Sequence, residues 1–208
     1  GAPGSVSVID TGTNTVVGAP IVVEIGPEGV AITPDGAFAY VANSGSGTVS
    51  VIDTGTNTVV GAPIPVGANP SRVAITPNGA FAYVTNLGAN TVSVIDTNTN
   101  LVVGAPIPVG ALPQGVAITP DGTRAYVTNQ SDGTVSVIDT ATNTVIETVP
   151  VGNSPVGVAI TPDGTRAYVT NNIDGTVSVI GIDQCTGSLC FDFGSGTGSG
   201  SGWGSFFS

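Results

Sequence analysis

The sequence predicts an all-β fold, a small β-propeller of about four blades, each a four-stranded antiparallel sheet. Three observations predict it. Tyr-Val-Thr-Asn stands at residues 83–86, 126–129 and 168–171, with Tyr40-Val41-Ala42-Asn43 as a near copy, and the tyrosines lie 43, 43 and 42 residues apart. Self-similarity at such a period marks a repeat architecture, in which one supersecondary unit packs against its neighbours. Each period holds four short apolar runs cut by turn signals, without helical periodicity. Hydrophobic residues make up 40% of the chain, enough to fill a core, whereas only 8% are charged. An average soluble domain has about 25% charged residues, so here the polar surface is built from Thr, Ser, Asn and Gly.

The third copy shows how one unit is built. Val116-Ala117-Ile118-Thr119 is a compact apolar run that stops at Pro120-Asp121-Gly122. Asp-Gly between apolar runs signals a hairpin, because both residues tolerate positive φ. In the next run, 123–128, Ala125 and Val127 share one face and Arg124 and Tyr126 the other. Ser131-Asp132-Gly133 turns the chain into a third strand, 134–139, with Val135 and Val137 opposite Ser136 and Ile138. The segment Asp139-Thr140-Ala141-Thr142-Asn143 then leads to a fourth strand, 144–151. Pro63, Pro65, Pro106 and Pro108 fall in fourth strands. Proline removes a ladder donor, so the fourth strand is the outer edge of each blade, and the Val-Ala-Ile-Thr run suits the crowded inner position.

The unit Val-Ala-Ile-Thr-Pro-Asp-Gly, Ala-Tyr-Val-Thr-Asn, Gly-Thr-Val-Ser-Val-Ile-Asp-Thr resembles the YVTN β-propeller repeat, over residues 5 to about 182. The resemblance implies a propeller of a kind common on extracellular and cell-surface proteins, such as surface-layer-like proteins of archaea and bacteria. It carries no general set of catalytic residues. Full-length relatives have more blades than there are copies here.

Residues 1–184 are read as propeller repeats, with a partial blade at 1–27 and units from 28, 71, 114 and 156. Residues 185–208 form a disulfide loop and a Gly/Ser-rich tail with an aromatic end. The chain opens with a third strand, 5–10, and a fourth, 16–25. The last unit supplies three strands, and Gly181 replaces the aspartate found at Asp10, Asp53, Asp96 and Asp139. Three solutions stay open: the termini complete a blade within one chain, a terminal strand is donated to the next molecule, or the chain is part of a longer propeller. Donation would be head-to-tail and open-ended. In Ile21-Val22-Val23-Glu24-Ile25, Val22 stands where later copies have Pro65 and Pro108. Strand propensity and a backbone donor are regained there, as pairing on both sides would need, which makes Val22, Val23 and Ile25 candidates for self-association.

Other departures mark further candidates. Phe38 and Phe81 precede the Ala-Tyr pair where later copies have Arg124 and Arg166. They form either an apolar contact patch or blade-to-blade packing. Trp203, Phe206 and Phe207 end a Gly/Ser-rich tail and suggest a docking segment. Cys185 and Cys190 enclose a tight loop, read as a disulfide of an oxidising compartment or as two free thiols. Asn129-Gln130-Ser131 is the one N-glycosylation pattern, a single short match on a turn that is read either as an acceptor or, more simply, as chance. The start at Gly1, with neither Met nor a basic, apolar leader, suggests a processed product.

With no His or Lys, the chain lacks Ser-His or Cys-His pairs, His-based metal sites, P-loops and Schiff bases. The recurrent aspartates are turn residues. A net charge of −11 argues against nucleic acid and anionic lipid as partners. No run approaches the length of a membrane span. The expectation is therefore a non-enzymatic extracellular or cell-surface structural protein without cofactors. It would associate with itself, as a homo-oligomer or filament. The rival expectation is a propeller module that binds a glycan or peptide.

Overall fold

A computed structural model describes residues 1–182. Among them there is no helix, and so none long and apolar enough to cross a membrane. The chain begins with a two-stranded hairpin, β1 (Gly4–Asp10) and β2 (Thr15–Val23). The first blade follows as β3 (Pro27–Ile32), β4 (Phe38–Asn43), β5 (Thr48–Asp53) and β6 (Thr58–Pro65), hydrogen-bonded in that order. The second comprises β7 (Pro70–Ile75), β8 (Phe81–Asn86) and β9 (Thr91–Asp96). Its fourth strand is split by Gly104-Ala105-Pro106 into β10 (Leu101–Val102) and β11 (Ile107–Pro108), both on β9. The third is β12 (Pro113–Ile118), β13 (Arg124–Asn129), β14 (Thr134–Asp139) and β15 (Thr144–Pro150). The fourth has three strands, β16 (Pro155–Ile160), β17 (Arg166–Asn171) and β18 (Thr176–Gly181).

The fold class expected from the repeat is the one observed: all-β, antiparallel, with the proline-bearing fourth strands at the sheet edges. First strands of successive blades lie side by side, which places them innermost. Turn chemistry follows the sequence closely. Gly122 takes φ 74° in the Asp-Gly turn, and the Asp121 carboxylate accepts the Thr123 amide at 3.0 Å.

Strand alternation divides each blade between two cores. In the third blade, Ala125, Val127 and Ile138 pack with Tyr83, Val92 and Val94 of the second. Tyr126, Val135 and Val137, on the opposite face, pack with Ala167 and Val169 of the fourth. One core therefore fills each seam, and stability is a sum of nearest-neighbour interfaces. The hairpin obeys the same rule, setting Ile21 and Val23 against Ala39, Val41 and Ile52 of the first blade. It is the outer half of a preceding blade.

The termini do not complete a blade within the described chain. β2 pairs with β1 only, and β18 pairs with β17 only. The pairing of β2 on both sides, expected from Val22, is not observed. Val22 stands on the hairpin's outer face and is 65% exposed.

Candidate functional site

The repeat's signature residues work at the seams. The Tyr40 hydroxyl donates to Asn100 Oδ1 at 2.6 Å, and Tyr83 makes the same bond to Asn143 at 2.6 Å. Each tyrosine thus latches onto the third turn of the following blade. That turn is held by its aspartate: Asp139 Oδ1 accepts the Thr142 amide at 2.8 Å. Asn100 and Asn143 close their turns at φ 55°, a left-handed conformation that asparagine tolerates. Burial, with the charges of Asp96 and Asp139 added, pushes Tyr40 and Tyr83 up to about 12.

The threonine and asparagine of the motif complete the joint. Thr128 Oγ1 accepts the Gly115 amide at 2.8 Å and donates to the Val156 carbonyl of the fourth blade at 3.0 Å. Thr85 does the same between Arg72 and Gln114. Asn86 is fully buried; its amide donates to Thr91 and Ser93, and its carbonyl accepts the Gly67 amide.

Asn129 occupies the same position, and its burial favours a chance match of the tripeptide over a glycosylation acceptor. The side chain has no exposure, and its nitrogen donates to Thr134 Oγ1 at 3.0 Å and Ser136 Oγ at 2.9 Å. An acceptor nitrogen held inside a seam is out of reach in the folded protein.

The self-association candidates are scattered. Phe38 packs against the core between the first and second blades and Phe81 against the next, so the structure gives them the packing role. Phe38 also lines a cleft of about 490 Å³ together with Asp35, Asn78 and Thr97. Val23 is buried against the first blade. Ile25 lies half-buried beyond β2, its amide donating to Ser46 Oγ at 3.0 Å. Of that segment only Val22 is presented to solvent. Cys185, Cys190, Trp203, Phe206 and Phe207 lie outside the described residues.

A different set of exposed residues emerges at the ends of the blade array. On the fourth blade Tyr168 is 41% exposed and Val177 and Val179 are each 55% exposed, although Tyr83, Val92 and Val94 at the same repeat positions are buried. At the opposite end Val30 and Ile32 of β3 are exposed, because the hairpin contributes no strand to cover them, whereas Val73 at the equivalent place is buried. Sequence inspection missed this set, since residues identical in every copy carry no local signal of exposure.

The only ion pair among the described residues joins Arg72 Nη1 to Glu28 Oε2 at 3.9 Å, both about half exposed, on neighbouring inner strands. Arg72 takes the place that Gly29, Gly115 and Gly157 hold in the other blades, an irregularity visible in the sequence once the copies are aligned. Among the described residues no three His, Cys, Asp or Glu side chains converge as metal ligands. Asp132 and Asp174 instead accept the amides of Ala111 and Asn153, each at 2.7 Å.

The turn carboxylates make stability depend on pH. The Thr161 hydroxyl, followed by the Thr165 amide and hydroxyl, lowers Asp163 to about 2; hydrogen bonds from Thr13 and Thr56 lower Asp10 and Asp53. A depressed carboxyl contributes stability above its unfolded value of 3.8, and that contribution is lost as pH falls toward 2. The tyrosines act with the opposite sign: their contribution is complete below pH 10 and lost as pH rises through about 12. Thermal melting across pH is expected to show a plateau with one acidic and one alkaline decline. An alkaline decline that does not accompany phenolate absorbance would contradict the tyrosine assignment.

A protein-family model described as a YNCE-like beta-propeller matches residues 25–166. No curated protein matches the chain. Among solved structures, a functionally unknown protein from Desulfotomaculum acetoxidans DSM 771 is 25% identical with TM-score 0.62, over 79% of this chain and 59% of that one. A Bacteroides uniformis ATCC 8492 protein provisionally assigned as a 6-phosphogluconolactonase has TM-score 0.74 at 14% identity, over 88% and 61%. The β-propeller domain of Myceliophteria thermophila Cps50 (Swd1) has TM-score 0.72 at 14% identity, over 87% and 60%. The last two likenesses speak to the fold alone. The chain spans about 60% of the length of these three structures.

Proposed function

Because the chain belongs to the YNCE-like β-propeller family, we propose that it serves as a non-enzymatic structural propeller, outside the cell or at its surface, that assembles with copies of itself. One observation carries this reading: apolar residues at positions that are buried in the internal seams stand exposed at both ends, Tyr168, Val177 and Val179 on the last blade and Val30 and Ile32 on the first inner strand. An unpaired sheet edge beside an uncovered apolar face is a template for another chain. The motif residues inside the array are engaged in joining blades, which supports a structural use of the repeat. Few charges and an abundance of Thr, Ser and Asn suit a surface that repeats across an assembly.

Arg72 and Glu28 favour a second reading, a module that holds a small polar ligand at its inner strands. Negative-stain imaging of native material separates the two. Filaments or a lattice are expected for the structural role. Monodisperse particles that retain a bound small molecule would replace it with the binder, and release of that molecule on Arg72→Ala would place its site.

A further inference from the structure

Resting on the assembly reading above, we propose that the partner is a second copy of this chain, and that the joint is one blade shared between two copies. In it, β1 and β2 of one copy serve as the third and fourth strands beside β16 and β17 of the other, with β18 released.

Three sets of unmatched groups point to this joint. The first is the latch. Asn14 and Asn57 close the same turn as Asn100 and Asn143, each at φ 54°, yet neither receives a tyrosine. Tyr126, whose hydroxyl meets the Arg124 side chain, and Tyr168 have no asparagine acceptor among the described residues, and the repeat position that would serve Tyr126 is Cys185 rather than asparagine. In a shared blade Tyr126 reaches Asn14 of the second copy and Tyr168 reaches Asn57, so two donors meet two acceptors. Stacking the fourth blade face-to-face on the hairpin would match only Tyr168 with Asn14.

The second set is the buried amide. Asn171 donates to Thr176 Oγ1 and Ser178 Oγ on β18. Ser5 and Ser7 on β1 carry hydroxyls at the same two repeat positions, and neither makes a side-chain hydrogen bond to a described residue. They can take over the Asn171 amide unchanged. Indeed Val6-Ser7-Val8-Ile9 repeats Val177-Ser178-Val179-Ile180, so exchanging β18 for β1 conserves the four central side chains of the ladder and replaces Thr176 with Ser5. What β1 adds is Asp10 where β18 has Gly181, and with it the turn and the fourth strand.

The third set is apolar. Val30 and Ile32 are exposed at 56% and 60% because no first or second strand precedes them. β16 and β17 of the other copy would cover them, as β3 and β4 cover Val73 and Ile75. Among the described residues of one copy the hairpin and the last blade belong to separate sheets that do not pair, so neither supplies the strands the other lacks.

The test is the mass of the full chain against concentration, by light scattering, for four substitutions at positions exposed in the single copy. Ser7→Lys places an ammonium where Ser50 and Ser93 are buried, and Ile32→Lys does so on the uncovered inner strand. Each is expected to raise the dissociation constant at least a hundredfold with thermal melting of the single copy unchanged. Tyr168→Phe should weaken association about threefold to tenfold, the effect of one hydrogen bond. Val179→Asp should assemble as wild type, because β18 is outside the joint. Loss of assembly in Val179→Asp with Ile32→Lys unaffected would overturn the shared blade in favour of face-to-face stacking. Assembly indifferent to both lysines would overturn the joint while leaving the structural role intact. A wild-type chain that is monomeric at every concentration would overturn both, and would assign the exposed edges to a cover within the chain.

Discussion

Replacing Tyr83 with alanine is expected to destabilise the protein by about 3–5 kcal/mol, the range for removing a large aromatic from a packed core. Tyr83 is 1% exposed, its ring lies in the core between the second and third blades, and its hydroxyl holds Asn143. Both the packing and the latch are lost together. Tyr83→Phe separates them: the ring stays, the hydrogen bond goes, and about 1 kcal/mol is expected. The place of the damage is as informative as its size. Since each blade touches only its neighbours, Tyr83→Ala should divide unfolding into two transitions on either side of that seam. Hydrogen exchange followed blade by blade during urea unfolding reads this directly. A single transition at unchanged midpoint would show that the seam is not where cooperativity is carried.

Gly115→Ala is expected to cost about 1–3 kcal/mol by overpacking, although it adds one methyl group to a turn-free strand. A β-carbon there would sit 2.5 Å from the Val156 carbonyl oxygen and 3.1 Å from Thr128 Oγ1. The first is backbone of the next blade and cannot swing aside, so the inner strands must separate and the Thr128 bridge with them. Gly157→Ala is the internal control. It holds the same repeat position, but only Thr170 Oγ1 lies near, at 3.1 Å, because no described blade follows. Its melting temperature should change little. Equal losses in the two variants would mean that the cost lies in strand propensity rather than in the approach of two blades.

Much of this architecture is legible in the sequence. The period set the blade, the prolines set the outer edge, and strand alternation put Ala125 with Val127, and Val135 with Val137, on shared faces. Such features are local: a turn residue and a face assignment are decided within a few positions. The joints were not legible, because Tyr40 and Asn100 meet across the space between blades and nothing near either residue names the other. Asn129 shows the same limit from the other side. Its tripeptide matches a modification pattern, while its burial is decided by Thr134 and Ser136 on the next strand. Phe38 and Phe81, read as a patch or as packing, were resolved only by seeing which core they touch. Exposure at the ends is the extreme case, since Val177 differs from Val92 in neighbours and not in sequence context.

The latch spans 60 residues, more than one period and less than two, so its two halves always come from consecutive copies. That arithmetic survives recombination. A crossover between misaligned copies that removed residues 73–115 would bring Asn143 to the place Asn100 now holds, and Tyr40 would close on it without any compensating change. An unequal exchange that inserts a copy works equally well. A gene of this kind can lengthen or shorten its array in whole blades by slippage alone, leaving selection to act on the two ends.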